Sequence, residues 1–375
     1  MTVMSADRKY RVIQWATGRV GLPALRGIID HPDLELVGLY VTSEAKDGRD
    51  AGELCGAGPV GVRATRDVDA ILGLDADCVC YGATDVGRVD AVIDDLCTIL
   101  ASGKNVVNNS ITRLVWPAGM EPDVIARLQK ACAKGDSTLY NTGIHPGVVS
   151  DAMLFALTNL SQRIDMISAA ELLDCSSYDP PVISALGFGK TIEEDAATFD
   201  TAILHYYWGP VVRALAESFD LELDEIRRFR RPELVEGGFT TSAGLPIPPN
   251  TIGAIHYGLE GVVDGTVRIV AENYEKIRPD IAPDGWPMFP IHNDEQAGGY
   301  RILVKGIPDM QLDLAFGGAD PLTDVLIGTG MRAVNSIAAV CQAPSGIIGS
   351  FEELPHVRGF MAAADAKHPS AASAR

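Results

Sequence analysis

The stretch YRVIQWATGRVG at residues 10–21 determines the fold of this chain. Its first half is a short apolar strand, and a glycine-containing turn follows. The turn fits the dinucleotide-binding pattern G-x-G-x-x-G, with Ala16, Gly18 and Gly21 at its three glycine positions. Gly18 would let the backbone approach a pyrophosphate, and Gly21 would let the following helix pack close to the strand. We therefore predict a dinucleotide-binding turn, with a plain strand–turn–helix as the alternative.

Strands and helices alternate along the first part of the chain. Apolar runs predict strands at 10–15, 34–41, 77–81, 104–108 and 137–140, and the segments between them predict helices at 20–30, 67–72, 88–101 and 122–133. This alternation is typical of a parallel sheet with right-handed crossovers. We expect an α/β fold with a Rossmann-type doubly wound sheet.

The pattern changes after about residue 150. A connecting helix is predicted at 147–160, followed by strands at 163–174, 251–263, 265–275, 300–306 and 310–316, with helices near 191–217 and at 321–342. Runs of strands without regular helices between them indicate a mixed sheet in a second α+β domain. The predicted organisation is a dinucleotide-binding domain at 1–147, a substrate and dimerisation domain at 148–320, a C-terminal helix within 321–350 and a tail at 351–375. The Pro- and Gly-rich segment 278–299 predicts a long loop.

Composition restricts the class of protein. The chain has 375 residues, is 47% hydrophobic and 22% charged, and carries a net charge of −19. This charge disfavours nucleic-acid binding, and no apolar run approaches the roughly 20 residues that a membrane-spanning helix needs. The seven cysteines are scattered and no secretory segment begins the chain, so we expect a cytoplasmic protein. The histidines and cysteines show no metal-ligand spacing, and no metal is predicted.

The end of the second predicted strand indicates which dinucleotide binds. A carboxylate at this position would hold the ribose of NAD, but the chain has Thr42 and Ser43 there, and its first acid is Glu44. The two hydroxyl groups, together with the cations of Lys46 and Arg49, favour the 2′-phosphate of NADP. NAD, held through Glu44, is the alternative.

Two further strand ends face the same crevice. Small residues at 82–84 follow the third strand, and amide side chains follow the fourth. These groups can hydrogen-bond ribose and carboxamide groups, although structural turns remain possible. The cofactor contacts predicted so far are Thr17, Gly18, Arg19, Val20, Gly21, Thr42, Ser43, Lys46, Arg49, Gly82, Ala83, Thr84, Asn108 and Asn109.

Several segments resemble a known family. QWATGRVG (14–21) is similar to the phosphate loop of the dihydrodipicolinate reductases. HPDLELVGLYV (31–41), GRDAGELCGAGPVGV (48–62) and AVNSIAAVCQAPSGI (333–347) resemble the actinobacterial reductase-like proteins that group with 2,4-diaminopentanoate dehydrogenase and native amine dehydrogenases. The resemblance implies hydride transfer between a nicotinamide and a C=N or C=O bond, a homodimer, and a C-terminal helix that returns to the first domain. It also implies cofactor contacts from Asn141 and Asn335.

The chain departs from this family at one chemical position. In the amine dehydrogenases an acid follows the fourth strand and handles ammonia, whereas here that position falls at Ile111 or Thr112. Three functions therefore remain open. The first is NADP-dependent reduction or dehydrogenation of small apolar carbonyls, imines or amines. The second is true amine dehydrogenation with another acid, such as Glu121 or Glu171, and the third is dinucleotide binding without catalysis.

Candidate catalytic residues lie at the junction of the two predicted domains. The resemblance places Asn141 beside the nicotinamide. His145 could donate a proton near neutral pH, with packing at a helix start as the alternative. Tyr140 is a third candidate and could also be a buried strand aromatic.

An aromatic cluster in the second domain predicts a largely apolar small-molecule substrate. The cluster HYYW at 205–208 has helical core spacing, so core packing competes with a pocket wall. Phe188, Trp286, Met288 and Phe289 could extend the wall. His256 and Tyr257 lie in a predicted strand, and alternation places them on opposite faces.

Overall fold

The chain forms two compact units, each built around its own sheet. The computed structural model describes residues 8–178, 180–199, 202–278, 280–281, 283–287, 298–316, 321–354 and 357–361. The first unit comprises Met1–Ile144 with Leu326–Arg375, and the second comprises His145–Val325. Within the described ranges, no helix combines the length and apolarity needed to cross a membrane.

The first unit contains a parallel sheet. Its strands are β1 (Tyr10–Trp15), β2 (Leu34–Tyr40), β3 (Ala64–Thr65), β4 (Cys78–Tyr81), β5 (Asn105–Asn108), β6 (Thr138–Asn141) and β15 (Gly346–Ile348). Their order is β15-β6-β5-β4-β1-β2-β3, and all the named pairs are parallel. The helices are α1 (Gly21–Asp30), α2 (Ala51–Leu54), α3 (Val68–Leu72), α4 (Val89–Ala101), α5 (Pro122–Gly135) and α10 (Pro321–Val340), the last of which enters this unit at Leu326. The predicted doubly wound Rossmann-type sheet is confirmed.

Apolar side chains fill the space between this sheet and its helices. One core contains Leu96 and Leu128 from α4 and α5, and another contains Ile28 from α1 and Ile337 from α10. Helices α1 and α10 pack closely, because a Cβ atom on Gly27 would lie 2.3 Å from the Met331 Sδ atom. The C-terminal helix therefore supports the helix that follows the glycine-containing turn.

The second unit contains a mixed sheet. Its strands are β7 (Arg163–Asp174), β8 (Glu225–Val235), β11 (Thr251–Val263), β12 (Thr266–Lys276), β13 (Gly299–Ile307) and β14 (Met310–Ala315), in the order β14-β13-β7-β12-β11-β8. Strands β7 and β12 run parallel, and the other named pairs are antiparallel. The predicted mixed α+β architecture is confirmed. A small separate sheet pairs β9 (Phe239–Thr240) with β10 (Pro246–Ile247).

The second unit also contains helices, one of which packs on the mixed sheet. They are α6 (Leu154–Thr158), α7 (Pro180–Ala185), α8 (Ile192–Thr198) and α9 (Ala202–Ser218), and the segment Ile144–Met153 leads into α6 with extended backbone at His145 and Pro146. Helix α9 buries Trp208, Val211, Val212 and Leu215. A Cβ atom on Gly261 of β11 would lie 2.9 Å from the Val212 side chain, so α9 covers the sheet face to which Gly261 belongs.

Strand β8 was not predicted from the sequence. Its residues EIRRFRRPELV are rich in charge, and the strand lies at the sheet edge with β11 as its only named neighbour. Most of its side chains remain in contact with solvent, so no apolar run marks it. The predicted loop at 278–299 lies mostly outside the described residues.

Candidate functional site

A cleft lies in the first unit at the carboxyl ends of its parallel strands. Its volume is about 520 Å³. Ligands of open α/β sheets bind at this edge, where the strand order reverses. The cleft is lined by Ala16, Thr17, Gly18, Arg19, Val20, Thr42, Ser43, Lys46, Gly82, Ala83, Thr84, Asp85, Arg88, Asn109 and Ser110. The structure thus brings together most of the cofactor contacts that the sequence predicts.

The turn after β1 has the backbone geometry that a phosphate loop requires. Ala16 has a φ of +73°, the left-handed conformation for which the dinucleotide pattern uses glycine. Its carbonyl oxygen accepts a hydrogen bond of 2.9 Å from the buried Gln14 side chain. A Cβ atom on Gly21 would lie 2.4 Å from that same oxygen, whereas a Cβ atom on Gly18 would meet nothing within 4 Å. Gly21 therefore allows close packing, and Gly18 leaves open space toward the cleft.

Helix α1 begins immediately after this turn. No side chain caps its first residues, and its first turn carries no acidic residue. The N–H groups of Leu22 and Ala24 already donate to the carbonyl oxygens of Gly18 and Val20, and Pro23 has no N–H group. The helix N-terminus therefore offers a phosphate group mainly its partial positive charge.

Lys46 lies on a short turn after β2. Its Nζ atom donates to the Thr17 carbonyl oxygen and to the Thr17 hydroxyl, both at 3.0 Å. Both acceptors are neutral, so the ammonium charge remains available to an anion. Arg49 and Glu44 do not line the cleft, although Thr42 and Ser43 do.

Asn108 and Asn141 lie next to each other at the ends of β5 and β6. The Asn108 amide donates to the Asn141 side-chain oxygen at 2.7 Å and accepts a hydrogen bond from the Ser110 backbone. Both side chains are buried and neither lines the cleft. They fix the loop that carries Asn109 and Ser110 into the cleft.

Arg332 of α10 holds the end of β6 and was not predicted from the sequence. It donates to the Tyr140 hydroxyl and to the Thr142 hydroxyl, each at 3.2 Å. Asn335 lies one turn further along α10, and its buried amide oxygen has no hydrogen-bond partner in the described part of the chain. Tyr140 and Asn335 do not line the cleft, so their predicted roles stay predictions.

His145 is the first residue of the second unit and lies among aromatic side chains of that unit. Its ring stacks on Trp208 at 4.6 Å and lies 6.3 Å from the Tyr300 ring. Both ring nitrogens are buried without a partner among the described residues. Burial lowers the pKa of His145 to about 3, against an opposing effect of Glu272, so the imidazole is neutral at pH 7. Its predicted proton-donor role stays a prediction.

Ile111 and Thr112, where the amine dehydrogenases are expected to carry an acid, are respectively buried and half-buried. Ile111 belongs to the core of the first unit, and the buried hydroxyl of Thr112 has no described partner. Glu121 pairs with Arg113 at 2.8 Å, which lowers the pKa of Glu121, and about half of its side chain is exposed. By contrast, burial raises the pKa of Glu171 to about 8, and the Tyr300 hydroxyl donates to Glu171 at 2.9 Å.

Asp85 and Arg88 line the cleft and were not predicted. They follow Thr84 in the loop after β4, so extending the strand-end argument by a few residues would have found them. Burial raises the pKa of Asp85.

The prediction that His256 and Tyr257 lie on opposite sheet faces is confirmed. His256 contacts Glu272 at 2.7 Å, and the Tyr257 hydroxyl donates to Glu275 at 2.6 Å. Trp286 packs against Tyr274, which stacks on His256. In the predicted aromatic cluster, Trp208 and Phe188 are buried, whereas Met288 and Phe289 lie outside the described residues.

The parallel sheet, its glycine-containing turn and the uncapped helix define a Rossmann-type dinucleotide-binding protein. Residues 12–111 match the N-terminal domain of dihydrodipicolinate reductase. Residues 148–369 match the C-terminal domain of 2,4-diaminopentanoate dehydrogenase. The chain belongs to the 2,4-diaminopentanoate dehydrogenase family and is an NAD(P)-dependent oxidoreductase.

Similar proteins include two characterised relatives and one solved structure. An amine dehydrogenase of Streptomyces virginiae is 32% identical over 305 residues, which cover 80% of this chain and 84% of the relative. The 2,4-diaminopentanoate dehydrogenase of Acetoanaerobium sticklandii is 22% identical over 302 residues, with coverage of 78% and 80%. An amine dehydrogenase structure from Mycobacterium smegmatis has a TM-score of 0.72 at 20% identity, with coverage of 94% and 98%, which shows a shared fold.

Proposed function

We propose that this chain transfers hydride between NADP(H) and the C=N bond of a small, largely apolar substrate, and so interconverts an amine with its carbonyl compound. The observation that carries the proposal is the cleft at the phosphate loop, where Lys46 is held by Thr17 through neutral oxygens. The names of the two characterised relatives support amine chemistry.

The residues of the cleft fit a nicotinamide dinucleotide. Gly18 and the uncapped start of α1 would bind the pyrophosphate, because open space and the partial positive charge of the helix N-terminus meet there. Thr42, Ser43 and Lys46 would bind a 2′-phosphate through two hydroxyl groups and one cation. Residues 82–84 and Asn109 line the part of the cleft at the ends of β4 and β5 and would bind a ribose. When bound, the nicotinamide supplies or accepts the hydride.

A second candidate function is reduction of a carbonyl compound without ammonia. It is favoured by one observation, the burial of the apolar Ile111 in the core at the position where amine dehydrogenases are expected to carry an acid. Under this alternative, a neutral hydrogen-bond donor is sufficient to polarise the substrate oxygen.

Oligomeric state and location belong to the same proposal. We expect a cytoplasmic homodimer, and the seven free cysteines suit a reducing compartment. Light scattering coupled to size-exclusion chromatography should give twice the 39.9 kDa of one chain. A mass of one chain would refute the dimer and leave the proposed reaction unaffected.

The proposed reaction is tested by cofactor binding followed by turnover. NADPH and NADH are titrated against the protein, and the tighter cofactor is then oxidised with a panel of aldehydes and cyclic ketones, with and without ammonium. Tighter binding of NADPH and ammonium-dependent oxidation are expected. Turnover that does not require ammonium supports the second candidate, and the absence of dinucleotide binding contradicts both.

A further inference from the structure

A row of polar side chains crosses the helix-covered face of the sheet in the second unit. Tyr300 of β13 lies opposite Glu171 of β7, Glu171 lies opposite Asn273 of β12, and Asn273 lies opposite Tyr257 of β11. Paired residues of neighbouring strands present their side chains on the same face. Tyr257 shares its face with Gly261, against which α9 packs. On one side of this row, the residues two positions away along the strands are apolar: Ala169, Ala271, Leu259 and Ile302.

Glu275 lies two residues beyond Asn273 on β12 and therefore points to the same face. We define the polar band as these five residues: Tyr300, Glu171, Asn273, Tyr257 and Glu275. The hydroxyl group of each tyrosine donates a hydrogen bond to one carboxyl group. Tyr300 donates to Glu171 at 2.9 Å, and Tyr257 donates to Glu275 at 2.6 Å. The second carboxyl oxygen of Glu275 is buried and has no partner among the described residues. The band therefore retains acceptor atoms that its own donors do not satisfy.

Asn273 provides an independent indication that the band binds a ligand. Its side chain is 0% exposed, and neither its amide nitrogen nor its amide oxygen has a hydrogen-bond partner in the described chain. A buried polar group without a partner costs about 1–3 kcal/mol. The register places this amide between Glu171 and Tyr257, so the unsatisfied atoms lie within the band.

Charge favours a cationic ligand. Burial raises the pKa of Glu171 to about 8 and that of Glu275 to about 7, and the two carboxyl groups also repel each other. Arg230 of β8 lies opposite Tyr257, but its guanidinium already holds both carboxylate oxygens of Asp195, at 2.8 and 3.0 Å. Arg230 is therefore already paired with another carboxylate. Among the described residues, the polar band contains two carboxyl groups, Glu171 and Glu275, and no cation pairs with either of them.

We propose that the polar band binds the ammonium group of a primary alkylamine. A primary ammonium has three N–H donors, and the band offers three acceptors: the carboxylates of Glu171 and Glu275 and the amide oxygen of Asn273. The His145 ring, stacked on Trp208 and next to Tyr300, provides an apolar surface for the carbon chain. The assignment rests on the proposed function, because the amine is the substrate of that reaction.

Binding of the ammonium group is coupled to proton release. A protonated carboxyl group that accepts the ammonium gives up its proton to solvent, and no electrons or covalent bonds are exchanged. The titratable and charged groups around the two carboxyl groups are Tyr300, Tyr257, Tyr178, Cys175, His145 and Arg230. Burial raises the pKa values of Tyr300, Tyr257 and Cys175 and lowers that of His145, which keeps these groups neutral at pH 7. Proton release near neutral pH therefore reports on Glu171 and Glu275.

Calorimetric titration of the full chain tests the proposal. The probes are n-butylammonium, ammonium and tetramethylammonium chloride, each in phosphate and in HEPES, two buffers with different ionisation enthalpies. We expect n-butylammonium to bind with proton release at pH 6.5, ammonium to bind at least tenfold more weakly, and tetramethylammonium, which has no N–H donor, not to bind. Equal affinity for ammonium would refute the assignment to an alkylamine, and binding of tetramethylammonium would refute recognition through N–H groups.

Matched variants identify the residues involved. Glu171→Gln and Glu275→Gln should each weaken n-butylammonium binding at least tenfold and reduce proton release. If one of the two variants does not fold, the other still tests the proposal. Glu233→Gln makes the same chemical change at an exposed position of β8 and should leave binding unchanged. Unchanged binding in both band variants would overturn the proposal.

The two proposals fail in different ways. If NADP-dependent amine turnover is present and its kcat/KM is unchanged in Glu171→Gln, the proposed function stands and the polar band is excluded as the amine site. If the parent binds n-butylammonium through Glu171 but shows no turnover with any dinucleotide, the site stands and the proposed function is wrong.

Discussion

The Nζ atom of Lys46 lies 3.0 Å from both the carbonyl oxygen and the hydroxyl of Thr17. This contact joins the turn after β2 to the glycine-containing turn after β1, although the two residues are 29 positions apart in the sequence. Arg49 lies three residues further along the same turn, is exposed and does not line the cleft. Of the two cations that the sequence predicts for a 2′-phosphate, Lys46 is the one that the structure brings to the cleft.

Replacing Lys46 should therefore change the preference between cofactors. Lys46→Met removes a charge whose hydrogen bonds to a phosphate contribute about 1.5–3 kcal/mol, so NADPH affinity should fall by about tenfold or more. NADH affinity should change by less than about threefold, because NADH has no 2′-phosphate. Fluorescence titration with both cofactors measures the two dissociation constants.

Arg49→Met is the comparison variant, and its effect on either cofactor should be less than about twofold, as for other exposed side chains. An equal loss of NADPH and NADH affinity in Lys46→Met would contradict the assignment of Lys46 to the 2′-phosphate.

Alanine at Gly18 and at Gly21 should have different effects. Gly18→Ala should keep its melting temperature within a few degrees of the parent's, because the space around Gly18 is open. The same variant should lose dinucleotide affinity, because the new methyl group points to where the pyrophosphate would lie. Gly21→Ala places a Cβ atom 2.4 Å from the Ala16 carbonyl oxygen and should destabilise the protein by about 2 kcal/mol or more. Thermal unfolding and cofactor titration of both variants separate the two effects. A Gly18→Ala variant with full affinity would show that the cofactor does not approach this loop.

Arg332 should act as a positioning residue for the end of β6. Removal of its guanidinium in Arg332→Met leaves the Tyr140 and Thr142 hydroxyl groups without this donor, which should cost about 1–3 kcal/mol of stability. Turnover should fall mainly through kcat if Asn141, between these two residues, orients the nicotinamide as predicted. Arg358→Met, at an exposed position of the same unit, is the control for the loss of an arginine. Chemical denaturation and steady-state kinetics provide the two measurements, and equal effects of both variants would exclude the positioning role.

The sequence was sufficient to predict most of the residues that line the cleft, because each of them follows a strand closely. The apolar runs of β1, β4 and β5 are short and mostly buried, so their ends could be assigned. Residues 82–84 and Asn109 follow the ends of β4 and β5 directly. Asp85 lies one residue further into the loop and was missed for that reason. Arg332 was missed because it contacts Tyr140 across 192 positions of sequence, and no local pattern reports such a contact.

The polar band could not be predicted, because it depends on strand register. Alternation correctly placed His256 and Tyr257 on opposite faces, but it could not show that Tyr257, Asn273, Glu171 and Tyr300 lie in one row. That row requires the order β13-β7-β12-β11 and the alignment of each pair, and a shift of one residue would place Glu171 on the other face. Glu171 was a candidate acid from the sequence, and the structure adds the neighbouring residues that explain its raised pKa.

The raised pKa of Glu171 predicts how stability depends on pH. The folded protein holds a proton on Glu171 up to about pH 8, whereas the unfolded chain releases it near the ordinary value of 4.5. Because the folded state binds more protons in this range, the contribution to stability is complete below pH 4.5 and is lost as the pH rises through 8. Glu171→Gln stays neutral at every pH, so its melting temperature should rise relative to that of the parent between pH 5 and pH 9. Glu233→Gln, at an exposed position, is the control for the loss of a carboxyl group. A difference in melting temperature that stays constant with pH in Glu171→Gln would mean that the Glu171 carboxyl group is ionised in the folded protein at neutral pH.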